Sequence, residues 1–125
     1  GRVRPVAKEL SQAQIERYAD ATGDHNPIHV DEAFARTTPL GGTVAHGMLV
    51  LAAISEMMAA SFGEAWLTGG KLKVRFRGPA RPGDTITASA QETPRDGPGL
   101  VYVVECRNQR GEVLINGTAE VPSRD

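Results

Sequence analysis

Residues 45–62 constrain the fold more than any other stretch. Met48, Leu49, Val50, Leu51, Ile54, Met57 and Met58 cover most of a helical circumference, with Ala52, Ala53, Ala59 and Ala60 between them. A helix apolar nearly all round is a buried helix. The chain beyond residue 70 has the period of sheet. Lys71 to Arg77 sets Leu72, Val74 and Phe76 on one face and Lys71, Lys73, Arg75 and Arg77 on the other. That alternation predicts a half-buried antiparallel strand with a solvated basic face. Pro79 to Asp84 reads as a turn, Thr85 to Thr93 as a second strand, and Pro94 to Gly99, with two prolines and two glycines, as another turn. Leu100 to Asn108 is a valine-rich third strand, Gln109 to Glu112 its turn, and Val113 to Val121 a fourth strand. A short strand around Val6 to Leu10 is free to pair with these. A sheet with one apolar face and a helix apolar all round satisfy each other if the sheet wraps the helix, an α+β arrangement. The far flank of the helix then needs cover, from the shorter segments or from a second copy of the chain. Edge-to-edge pairing of two such sheets would also remove an exposed strand edge.

The first third is helical and interrupted. Ser11 with Gln14 matches a capping box, Ile15, Tyr18 and Ala19 form one apolar face, and Gly23 is placed to end the helix. Asp31 can cap a short helix from Glu32 to about Thr37 with Phe34 pointing inward, and Pro39, Gly41 and Gly42 make Thr38 to Thr43 a loop. Between the helices stands Asp24-His25-Asn26-Pro27-Ile28-His29. Proline fixes its own φ and pushes Asn26 out of the helical region, so the first helix cannot simply continue. Such a bend can bring both ends of the hexapeptide toward one point. A carboxylate and an imidazole aimed at one small space are what acid–base chemistry on a water requires. Asn-Pro is equally an ordinary turn initiator.

Composition narrows the function classes. The length of 125 residues suits one domain, 1–125, and a chain of that size buries about two thirds of its unfolded surface. A net charge of −1 supplies no field for nucleic acid or an anionic membrane. Cys106 is the single cysteine, which rules out an internal disulfide and a cysteine-based metal framework. Gly1 to Lys8 lacks an apolar stretch long enough for a signal peptide, and the Val44 to Ile54 run is too short to span a bilayer. The expectation is a soluble, cytoplasmic protein. With three histidines and no further His or Cys cluster, neither a metal nor a cofactor is expected.

Three stretches also resemble a known family. Tyr18-Ala19-x-x-Thr22-Gly23-Asp24-x-Asn26-Pro27-Ile28-His29 resembles the hydratase motif of the MaoC-like, R-specific enoyl-CoA hydratases. Gly42-Thr43-Val44-Ala45-His46-Gly47-Met48-Leu49 looks like the segment opening their central helix, and Phe76-x-x-Pro79-Ala80-x-Pro82-Gly83-Asp84-Thr85 like their strand–turn–strand signature. The match runs from about Leu10 to Val121. The resemblance implies the hot-dog fold, a curled antiparallel sheet around one long helix, in a homodimer or higher homo-oligomer. It also implies reversible hydration of trans-2-enoyl thioesters of coenzyme A or acyl carrier protein to R-3-hydroxyacyl products. Carried over by position, the catalytic pair falls on Asp24 and His29, and the backbone amide that binds the thioester carbonyl falls on Gly47. A supporting serine falls on Ser55, and Asn26 is a supporting position within the motif.

Several positions carry competing readings. His46 is expected to be a hydrogen-bonding cap at the helix start rather than a further acid–base group. Ser55 could instead bond back to the carbonyl four residues earlier. His25 faces elsewhere, and Tyr18 belongs to the core. Glu56 is the rival catalyst, because some hot-dog thioesterases carry an acidic residue on the central helix. The Lys71, Lys73, Arg75, Arg77 face is a solvated sheet surface that could also attract coenzyme A phosphates. Two further rivals are a 3-hydroxyacyl-carrier dehydratase of fatty-acid synthesis and a non-catalytic acyl-CoA-binding partner subunit.

Overall fold

The computed structural model describes residues 3–122; residues 1–2 and 123–125, the ends of the expected 1–125 domain, lie outside them. The order of elements is β1 (Val6–Glu9), α1 (Gln12–Thr22), α2 (Pro27–Val30), α3 (Glu32–Ala35), α4 (Gly47–Phe62), α5 (Glu64–Gly69), β2 (Lys71–Phe76), β3 (Thr85–Thr93), β4 (Leu100–Arg107) and β5 (Val113–Val121). The five strands make one antiparallel sheet in the order β1-β3-β4-β5-β2. Two of the four strands expected in the second half, β3 and β5, have their expected limits. The valine-rich β4 ends one residue early, because Asn108 belongs to its turn. Its Oδ1 accepts from the Arg110 and Glu112 amides at 3.0 Å each, and Gly111 turns the chain back at φ 79°.

The sheet curls its apolar face around α4, which gives the hot-dog arrangement. Cross-strand rows run Ala88–Cys106–Ile115–Phe76 and Tyr102–Ala119–Leu72. Against them α4 sets Val50, Ala53, Ile54, Met57 and Met58, all buried. Each fully buried large side chain of this set contributes about 1.5–3 kcal/mol. The cover is one-sided. Met48 is 58% exposed, Leu51 half-buried and Ala52 exposed, so a helix expected to be buried all round keeps an open flank in the single chain.

Three further local expectations are corrected. Phe34 points outward, 45% exposed, and Ala35 is the buried residue of α3. That helix stops at Ala35 because the Thr37 and Thr38 hydroxyls donate back to the carbonyls of Phe34 and Ala35. Phe76 keeps its expected face but is 53% exposed, since the core does not extend under that end of β2. The third correction is α5, an unexpected element held between Gly63 and Gly70. It buries Trp66 beside α4, with the indole N–H donating to Ser55 Oγ at 3.0 Å.

Cys106 is buried between strands, and burial pushes its thiol up to about 11, so it supplies no thiolate near neutral pH. Among the described residues, no helix is long and apolar enough to cross a membrane.

Candidate active site

The site is assembled by caps. Ser11 Oγ accepts from the Gln14 amide at 3.1 Å and the Gln14 side chain accepts from the Ser11 amide at 3.0 Å, the reciprocal box expected at the start of α1. At the other end Gly23 takes the left-handed conformation, φ 76°, and donates to the Ala19 carbonyl, which throws Asp24 off the helix axis. Asn26 Oδ1 then accepts from the Ile28 amide at 3.2 Å with Pro27 in the first helical position. The proline therefore ends one helix and starts another, because its missing N–H and fixed φ suit a first turn. The hexapeptide is half bend and half helical turn, where the sequence indicated only a bend.

This arrangement turns His29 inward, buried, on α2. Its Nδ1 lies 2.8 Å from the Val44 carbonyl. A carbonyl only accepts, so Nδ1 carries a hydrogen, and in the neutral ring Nε2 is the free acceptor. The backbone is equally fixed: Val44 N–H donates to the Ile28 carbonyl at 3.0 Å, and Gln12 Nε2 to the His29 carbonyl at 2.8 Å. Gln12 is tied in turn to the Thr43 hydroxyl at 3.0 Å. The Thr43 amide, then its hydroxyl and Arg36, hold the Glu32 carboxyl below the usual carboxylate range.

Asp24 is pinned at three atoms while its carboxylate stays exposed. Its N–H donates to Thr22 Oγ1 at 3.4 Å, its Oδ1 accepts from the Asn26 amide at 3.3 Å, and its carbonyl accepts from His46 Nε2 at 2.9 Å. One oxygen or nitrogen each from Asp24, His29 and His46 lie within 4.8 Å of one another. Such a trio is also a conceivable cation site. Two ligands of one transition-metal ion, each at about 2.1 Å, stand no more than about 4.2 Å apart. Two hydrogen-bond partners of one water, each at about 2.8 Å, reach about 4.6 Å at the tetrahedral angle. Separations of up to 4.8 Å bracket both spans, and His46 Nε2 is already committed to the Asp24 carbonyl.

His46 departs furthest from its expected role. It precedes α4 as expected, but its side chain makes no cap bond to that helix. Instead the buried ring stacks on His29, centroids 3.8 Å apart and planes 25° apart, and Tyr18 leans on it at 4.8 Å. Tyr18 is thus half-buried wall of the site rather than core. The one sequence signal for this is that His46 sits beside Gly47 in the same segment.

Gly47 is the first residue of α4, exposed in the single chain, where first-turn amides have no intrahelical partner. A Cβ there would stand 2.9 Å from the Phe76 ring, so that half-exposed ring would have to swing aside for any larger residue. Ser55 lies about 12 Å further along the axis, and its hydroxyl accepts from Trp66, not bonding back to the carbonyl four residues earlier. Glu56 is ion-paired with Lys8 at 2.5 Å. His25 faces Asp20 at 2.9 Å, whose hydrogen bond raises its pKa. The four basic residues of the β2 segment are exposed, Arg77 donating to Asn116.

Known proteins share this chain's pattern. The family described as MaoC like domain matches residues 2–109. An (R)-specific enoyl-CoA hydratase of Rhodospirillum rubrum is 32% identical, over 99% of this chain and 88% of its own. A 3-hydroxyacyl-thioester dehydratase Z of Mycobacterium tuberculosis is 32% identical, over 90% of this chain and 72% of its own. Among solved structures, the (R)-hydratase of Aeromonas caviae superposes with a TM-score of 0.81 at 26% identity, over 96% of this chain and 92% of its own.

Proposed function

The chain belongs to the MaoC-like domain family, and on that footing we propose that it reversibly hydrates trans-2-enoyl thioesters, of coenzyme A in the first instance, to (R)-3-hydroxyacyl thioesters. The observation carrying this reading is the approach of the Asp24 carboxylate to His29 beside the start of α4. Hydration needs attack of water on the β-carbon and delivery of a proton to the α-carbon. Asp24 and the free Nε2 of His29 hold that water. As its oxygen bonds to the β-carbon its O–H bond breaks, the proton passes to one of the pair, and the same proton is delivered to the α-carbon, so the pair ends as it began. The negative charge that develops on the thioester oxygen is met by the Gly47 amide, at the positive end of α4. Losing one such donor costs about 3 kcal/mol of transition-state stabilisation. Asn26 supports the pair by capping the turn that carries His29.

The experiment is incubation with crotonyl-CoA while two signals are followed, the conjugated enoyl absorbance and free thiol. Absorbance should fall with no thiol released, and chiral analysis should return the R product. Thiol release would overturn the reading in favour of a thioesterase, for which Glu56 would first have to leave Lys8. Activity on a carrier-protein thioester in place of the CoA thioester would move the substrate to that of the fatty-acid-synthesis dehydratases and leave the chemistry unchanged. A silent partner subunit has no need of both Asp24 and His29.

We further expect a homodimer. The open flank of α4 forms an apolar cavity of about 400 Å³ lined by Met48, Leu51, Ala52, Leu67 and Leu72, next to the unpaired edge of β2. A second copy pairing along that edge would cover both. Sedimentation equilibrium should give twice the 13.3 kDa chain mass, and Leu51→Asp should return it to the monomer. A wild-type monomer would end the dimer reading.

A further inference from the structure

We infer that His46 is a positioning residue, the link that sets the Asp24 carboxylate in register with both His29 and the amide of Gly47. This inference rests on the hydratase reading above. The hydrogens of the ring come first. Its Nε2 faces the Asp24 carbonyl at 2.9 Å, so that nitrogen carries the hydrogen. Its Nδ1 is buried with no hydrogen-bond partner among the described residues. Of the two neutral tautomers only the one with hydrogen on Nε2 makes this bond, and it leaves the buried Nδ1 as an unpaired acceptor.

His46 joins three parts of the site. Through Nε2 it fixes the main chain of Asp24, whose own carboxylate is too exposed to be held by packing. Through its face it supports the plane of His29, with Tyr18 as backing on a tilted ring at 4.8 Å. Through its carbonyl it opens α4, accepting from the Leu49 and Val50 amides at 3.0 and 3.3 Å. Its neighbour in the chain is Gly47. One buried side chain therefore ties the acid–base pair, carried on the α1–α2 segment, to the helix end that meets the developing oxyanion. Misplacing a reacting group by about 1 Å can cost about 100-fold in rate, so a link of this kind acts on turnover rather than on substrate binding.

Two substitutions separate the parts. His46→Phe keeps a ring against His29 and loses the donor; His46→Gln keeps an N–H donor of similar reach and loses the ring. With the dimeric wild type as reference and rates expressed per folded protein, His46→Phe should lower kcat about 10- to 100-fold with KM within about threefold. His46→Gln should recover kcat to within about fivefold of wild type. Both limbs of the kcat–pH profile should stay in place in His46→Gln. His46→Asn, too short to reach the carbonyl, gives the same contrast if His46→Phe does not fold. Equal kcat for the Gln and donor-free variants, a change confined to KM, or a pH limb lost with His46→Gln would each overturn the inference, the last by making His46 an acid–base group itself. A wild type that does not hydrate would instead bring down the function reading, which separates the two failures.

Discussion

Asp24→Asn is expected to lower hydration of an enoyl thioester by about 10²–10⁴-fold while the protein melts with the wild type. The substitution is nearly isosteric and keeps an Oδ1 to accept from the Asn26 amide, now at 3.3 Å. The other two links that hold residue 24, from its N–H to Thr22 and from His46 to its carbonyl, are main-chain bonds that a side-chain change does not touch. The side chain is exposed, and surface substitutions of this kind move stability by about 0.5 kcal/mol or less. What the amide cannot do is take or return a proton. The measurement is initial rate from the enoyl absorbance beside a thermal melt on the same preparation. Because Asp24 and His29 act on one water, the double variant with His29→Gln should be scarcely slower than either single one. Retention of turnover within tenfold in Asp24→Asn would remove that carboxylate from the mechanism.

The parts of this molecule that are legible in its sequence are those where local chemistry and tertiary packing ask for the same thing. Ser11 and Gln14 suit a box at a helix start, and Gly23 suits its left-handed end, so three residues are enough to delimit α1. Strict alternation from Lys71 gives β2 its face, and the Pro and Gly clusters give the turns. Expectation and structure part where periodicity states a direction but not a depth. Phe34 and Phe76 are apolar residues near the ends of their elements, beyond the reach of the core, and sequence spacing carries no information on where cover stops. Six residues between two glycines are too few to show a period, so α5 has no sequence signature. At the site, the hexapeptide shows its bend but not the helix that restarts at Pro27. The role of His46 is hidden for a related reason. A histidine before a helix looks like a cap, whereas its partners here are 22 residues away at Asp24 and 17 away at His29, contacts that only the folded chain creates.

Gly117→Ala is expected to be the most destabilising single methyl addition among the sheet residues. Gly117 sits in β5 between Val104 of β4 and Val74 of β2, on the face turned toward α4. A Cβ there would lie 2.0 Å from the Lys73 carbonyl oxygen and 2.7 Å from the Val74 Cα. Those are main-chain atoms of a paired strand, so no rotamer change relieves the contact, and β2 must move off its ladder with β5 between Lys71 and Phe76. Overpacking costs about 1–3 kcal/mol where side chains can shift, and a clash with backbone belongs at or above the top of that range. For a chain of this size that corresponds to a melting temperature lower by about 10 °C. The loss should reach the site as well, because β2 carries Phe76 onto the helix start at Gly47. Gly78→Ala is the control: its Cβ would meet the Val113 carbonyl at 3.8 Å, an ordinary contact, and its backbone lies outside the left-handed region. Thermal melts of the two variants side by side decide the matter. If Gly117→Ala melted with Gly78→Ala, the tight passage of β2 over β5 would not be the feature that requires glycine at 117.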